Sequence, residues 1–99
     1  MLSNFLSDMR PYTIAVEYDG KKWMFRQFHL KGIVRVRHDL TNNKLYIRKA
    51  SIDTWCKSNY ANRNVMYDEL EALSADVVKT RIELGNTKLV TCIVVSALR

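Results

Sequence analysis

The chain has 99 residues, with 16 Lys and Arg against 10 Asp and Glu, a net charge of +6 and a pI of about 9.6. That length is one domain with room for a modest core, and one Pro with three Gly excludes a long disordered linker. There is no run of about 18 apolar residues to span a membrane, and residues 1–9 lack the cationic start and continuous apolar centre of a secretory signal; the expected compartment is the cytoplasm.

Leu2, Phe5, Leu6 and Met9 recur at helical spacing, which predicts a short amphipathic helix over 2–9, ended by Pro11. Tyr12, Ile14, Val16 and Tyr18 alternate with Thr13, Ala15 and Glu17, as in a half-buried strand. Asp19-Gly20 predicts a two-residue hairpin turn, with a return strand over about 22–30 that carries Trp23, Phe25 and Phe28. After a break at Lys31 and Gly32, residues 33–38 alternate, Val34 and Val36 on one face, Arg35 and Arg37 on the other. Thr41-Asn42-Asn43 is turn chemistry, and beyond it Leu45 and Ile47 face inward while Tyr46 and Arg48 face outward.

Ser51 or Asp53 is suited to cap a helix over 53–60 with Ile52, Trp55 and Cys56 inward, and residues 61–64 make a turn. Asn64 is the expected cap of a second helix over 64–74, with Met66, Leu70 and Leu73 buried. Beyond Ser74 two patterns compete. Val77 and Leu84 would extend the helix, whereas Val78, Thr80, Ile82 and Leu84 alternate, and Gly85-Asn86 precedes a β-branched run over 89–95. The β-branched content favours strand–turn–strand over 77–95. The expected fold class is α+β: one domain in which small antiparallel hairpins carry a helix-turn-helix, with an N-terminal helix and hairpin in 1–33.

Charge is segregated along this layout. Residues 10–49 hold ten bases against three acids, residues 50–76 two against five, and residues 77–99 four against one. The predicted sheet is therefore basic and the predicted helices acidic, so a polyanion should meet the sheet. If the strands around the 41–43 turn pair, Arg35, Arg37, Tyr46 and Arg48 share one outward face. Guanidinium groups offer paired donors to phosphate, and a tyrosine ring offers a stacking surface for an unpaired base. Lys21, Lys22, Lys31, Lys44 and Lys49 widen the positive field. A sheet wetted on one side needs a polar outer face in any case, and Arg and Lys serve that purpose equally.

Strand 44–49, helix, tight turn, helix and hairpin succeed one another as in a winged helix-turn-helix. The runs Lys44-Leu45-Tyr46-Ile47, Asp53-x-Trp55-Cys56, Asp68-Glu69-Leu70, Arg81-Ile82-Glu83-Leu84-Gly85 and Thr91-Cys92-Ile93-Val94 resemble the C-terminal winged-helix-like region of phage and mobile-element helicase-primases, over about residues 34–96. The resemblance implies a winged-helix part in 34–99, a role in DNA replication and a wing bearing Lys79, Arg81 and Lys88. The turn Gly85-Asn86-Thr87 is shorter and less basic than that family's usual wing, and no Gly-x-x-x-x-Gly-Lys-Ser/Thr run is present.

Enzymatic constellations are weak. His29 and His38 lack Cys or carboxylate neighbours at metal-ligand spacing, and Cys56 and Cys92 form no C-x-x-C pair and read as reduced core thiols. Asp68, Glu69 and Glu71 on the second helix read as a solvated face, and they oppose insertion of that helix into a duplex groove. The expected function is a non-catalytic nucleic-acid-binding accessory domain of phage or mobile-element replication, without cofactor or metal. It would contact single strands or the phosphate backbone through Arg35, Arg37, Tyr46, Arg48, Lys49, Lys79, Arg81 and Lys88. The alternative is a small phage protein-interaction module that docks a replication or host factor.

Overall fold

A computed structural model describes residues 1–25, 32–82 and 88–96. The first helix, α1 (Leu2–Asp8), buries Leu2 and Phe5, and Met9 just beyond it. Pro11 then sits in a single 3-10 turn, Arg10–Tyr12, where its missing N–H costs no helical hydrogen bond. Thr13 Oγ1 donates to the Met9 carbonyl at 2.7 Å and closes the junction with the first strand.

Six strands follow: β1 (Thr13–Tyr18), β2 (Trp23–Phe25), β3 (Val36–Asp39), β4 (Lys44–Arg48), β5 (Asp76–Thr80) and β6 (Val90–Ser96). They form one sheet in the order β2-β1-β3-β4-β6-β5. The sheet is mixed, which corrects the expectation of antiparallel hairpins alone. β2 takes one edge of β1, and the chain re-enters on the other edge, so β3 runs parallel to β1 with Ile14 opposite Arg37. The other pairs are antiparallel.

The turns also depart from expectation. Residues 19–22, rather than two residues, join β1 to β2, because the Asp19 carboxylate accepts the amides of Lys21 and Lys22, each at 2.9 Å. Gly20 at φ 94° supplies the left-handed step. These amides, Lys22's first, hold the Asp19 carboxyl below its ordinary value. Between β3 and β4 the buried Asp39 carboxylate accepts the amides of Thr41 and Asn42 at 3.0 and 3.1 Å and the Asn42 side-chain amide at 2.9 Å. Most of the expected return strand 22–30, including Phe28 and His29, lies outside the described residues, as does the Gly85-Asn86 turn.

Two helices separate β4 from β5: α2 (Lys49–Ser58) and α3 (Arg63–Ala72). Neither expected cap is the real one. β4 runs straight into α2, whose cap position is Arg48 with no side-chain hydrogen bond, and Ser51 and Asp53 lie inside the helix. Asn62 caps α3 instead of Asn64, its Oδ1 accepting the amides of Asn64 and Val65. Both helices end alike. Tyr60 (φ 52°) and Ser74 (φ 57°) take left-handed conformations, and the following amides, of Ala61 and Ala75, reach back to Cys56 and Leu70. This turn at Ser74 stops α3, and 76–80 is strand, as the β-branched content favoured.

Alternation along the strands sends side chains to two covered faces. On one, Val36, Ile47, Ile93 and Val95 pack with Leu2, Phe5 and Met9, Ile52 and Cys56 of α2, and Met66 and Leu70 of α3. On the other, Ile14, Val16 and Cys92 pack with Val34 and Ile82. Val34 and Val36 therefore belong to opposite faces, against expectation. Strand pairing begins only at Val36, and the Arg48 guanidinium binds the Val34 carbonyl through Nε (3.3 Å) and Nη2 (3.2 Å), so the two-residue period fails before β3. Among the described residues no helix is long and apolar enough to cross a membrane.

Candidate functional site

The register brings Arg37 and Tyr46 opposite each other, with Arg48 two residues along on the same face, as the alternation predicts. That face is not wet, however. Residues 81 and 82 fold onto it, and Ile82 is buried there. Arg37 is 7 % exposed, its guanidinium lies 4.2 Å from the Tyr46 ring centroid, and Nη1 donates to the Arg81 carbonyl at 2.6 Å. Among the described residues its buried Nε has no partner. Arg48 is occupied by Val34, and the Arg35 guanidinium stands 4.1 Å over the Tyr12 ring. Three of the four residues of the expected sheet site thus point their charge at the protein's own carbonyls and rings, and the fourth, Tyr46, lies beneath Arg37.

Of the remaining candidates Lys79, Arg81 and Lys88 are exposed and Lys49 is half-buried. Lys79 and Arg81 lie at the end of β5, and Lys88 precedes β6. Lys49 opens α2 and pairs with Asp53 at 3.3 Å. A shallow recess of about 540 Å³ is lined by Arg48, Lys49, Ala50, Asp53, Val90 and Thr91. Lys79 stands opposite Thr91, hence on the same side of the sheet. From α3, Arg63 reaches the same Asp53 at 3.9 Å. The recess is thereby ringed by Lys49, Arg63 and Lys79 at the start of a helix whose first amides have no side-chain cap. First-turn amides without a side-chain cap and the helix dipole add positive potential there.

Comparison with family models, curated proteins and solved structures returns no match.

Asp53 organises this corner. Besides Lys49 and Arg63 it accepts the Tyr67 hydroxyl at 2.9 Å. Burial, and then this bond to Asp53, push the Tyr67 phenol up to about 12. Burial also raises both thiols; at Cys56 the Asp53 charge adds to it, and at Cys92 Arg37 and Arg48 partly oppose it. Neither thiol therefore carries the depressed value of an activated nucleophile. His38 lies on the helix-covered face beside Leu45, in an apolar recess of about 210 Å³ with Leu2, Leu6, Leu73 and Val95. Among the described residues no three His, Cys, Asp or Glu are grouped to hold a metal ion.

The acidic helix divides its labour. Asp68 and Glu71 are exposed, but Glu69 accepts the Leu2 amide at 3.0 Å and so ties α1 to α3. Sequence reasoning missed Glu69, Asp39 and Arg63. It also missed Tyr60, whose signal was an aromatic in an otherwise polar turn.

Proposed function

We propose that the protein is a non-catalytic nucleic-acid-binding domain of winged-helix type that holds phosphate backbone in phage or mobile-element replication. The succession β4-α2-α3-β5-β6, with β6 lying between β4 and β5, supports the winged-helix reading. The resemblance of residues 34–96 to helicase-primase terminal regions supplies the replication setting. The observation that carries the binding reading is the ring of Lys49, Arg63 and Lys79 around the uncapped start of α2, with Arg81 and Lys88 farther along the wing. Exposed cations on rigid elements are what phosphate contact requires. The contact surface is thereby moved from the buried arginines of the sheet to its helix-side rim.

Fluorescence anisotropy with labelled single-stranded and duplex oligonucleotides, at about 50 and about 200 mM salt, tests this. Reversing Lys49, Arg63 and Lys79 to Glu should weaken binding and flatten its salt dependence by roughly two to three contacts. Unchanged affinity in the triple variant rejects the rim.

One observation favours the second reading, a protein-docking module. β5 is the last strand of the sheet, and Val77 on it is 65 % exposed, so its outer edge suits strand addition by a replication or host factor. Failure to bind any oligonucleotide at low salt, together with stoichiometric recovery of one partner after nuclease treatment, would select that reading.

A further inference from the structure

Tyr60 occupies the turn between α2 and α3 and is 98 % exposed. Its backbone is left-handed, φ 52°, at a helix end where glycine is the favoured residue. Among the described residues its ring makes no aromatic contact and its hydroxyl no hydrogen bond. Its neighbours are all employed within the fold: Asn59 donates its side-chain amide to the Trp55 carbonyl at 2.8 Å, Asn62 caps α3, and Ala61 packs against the core. Among the described residues the Tyr60 side chain has no such employment, and its backbone, which ends α2, would be more comfortable with glycine.

Its surroundings define the partner. In the chain no acid occurs between residues 54 and 67, while Lys57 and Arg63 lie three residues to either side; the acid that shares a recess with Asn59 and Ala61, Asp8, accepts the Trp55 indole N–H at 2.8 Å. Both are exposed, as are Asn59, Asn62 and Asn64. From Arg63 the rim continues through the recess to Lys49 and Lys79, with the Asp53 carboxylate between Arg63 and Lys49, so the three cations outnumber the one acid. An exposed ring flanked by cations, at one end of a basic track, is the arrangement that takes a flat, anion-linked ligand. Resting on the nucleic-acid reading above, we propose that Tyr60 stacks an unpaired base of single-stranded nucleic acid. Lys57 and Arg63 hold the flanking phosphates, and the strand leads from the turn to the α2 recess. A base stacked on Tyr60 has left its duplex partner, so the preferred ligand is single-stranded. The exposed carboxylates of Asp68 and Glu71, farther along α3, discourage a duplex from lying along that helix.

The test compares Tyr60→Ala, Tyr60→Phe and the unchanged protein in anisotropy titrations against labelled oligothymidylate and a labelled duplex, with thermal melts as the folding control. Tyr60→Ala should lose roughly 5- to 150-fold in affinity for the single strand, the range for removal of a stacking aromatic. Tyr60→Phe should bind as the unchanged protein does, and duplex affinity should be the same in all three. Equal single-strand affinity in Tyr60→Ala overturns the stacking role and leaves the phosphate rim standing. An equal loss on duplex and single strand also overturns it, in favour of a backbone contact. If the unchanged protein binds neither oligonucleotide at low salt, the nucleic-acid reading falls and the stacking role with it.

Discussion

A left-handed backbone at a helix end costs a side-chain-bearing residue roughly 1–2 kcal/mol relative to glycine. Ser74 bears that cost where α3 gives way to β5, and the two closing bonds, Ser74 N–H to Glu71 and Ala75 N–H to Leu70, are already in place. Glycine there relieves strain without losing a contact but adds entropy to the unfolded chain. Ser74→Gly should therefore raise stability by about 0.5–1 kcal/mol in urea unfolding. Asp39 presents the opposite case. Its buried carboxylate accepts three N–H groups of its own turn, so a charged residue in a strand position is satisfied locally and needs no external cation.

At the scale of elements, α2 and α3 are coupled through Asp53 and Tyr67, and the coupling has a pH signature. Tyr67 ionises near 10 in the unfolded chain and at about 12 in the folded one. Above pH 10 the unfolded state sheds this proton first, so unfolding is favoured progressively as pH rises from 10 towards 12. The raised thiols of Cys56 and Cys92 act in the same direction from their ordinary value of 9.0 upward. Urea midpoints measured across this range should fall with pH, and less steeply in Tyr67→Phe. These helices also show what the sequence made readable. The apolar spacing of Ile52, Cys56, Met66 and Leu70 located both correctly. Their starts were misplaced because Ser, Asp and Asn are all competent caps, whereas β4 runs straight into α2 with Arg48 at the cap position, and Asn62, two residues before Asn64, caps α3. The strand faces were likewise readable: Leu45 and Ile47 inward, Arg37, Tyr46 and Arg48 on the other side. That the second face would be covered was not, since it depends on where residues 81 and 82 go after β5 ends, and alternation carries no information about that. The parallel neighbour of β1 escaped for a similar reason. A period of two assigns a side chain to a face but does not say which strand lies beside it.

On the scale of the whole molecule, residues 34–99 are not self-sufficient. Leu2, Phe5 and Met9 enter the same core as Ile52, Met66 and Leu70, and β1 supplies the parallel neighbour that β3 needs. A fragment of residues 34–99 would expose one edge of β3 and open a cavity the size of three large side chains. Each such truncation costs about 2–5 kcal/mol, which in sum is as large as the whole stability of a small domain, about 5–15 kcal/mol. The fragment should lack the dispersed amide spectrum of the full chain; a cooperative, well-dispersed fragment would refute the shared core. Charge segregation is a property of the same scale, but the fold redistributes it. Arg37 turns inward and Arg48 binds the Val34 carbonyl, while the exposed cations are spread over the β1–β2 turn (Lys21, Lys22), the start of β4 (Lys44), the α2–α3 junction (Lys57, Arg63) and the end of β5 (Lys79, Arg81).

The Arg37 guanidinium grips residue 81 by its main-chain carbonyl and not by its side chain. Any amino acid at that position offers the same oxygen, so the interior contact is blind to what the side chain outside is. The side chain at position 81, and with it the sign of the charge beyond β5, can therefore be changed without touching the interior contact beneath it.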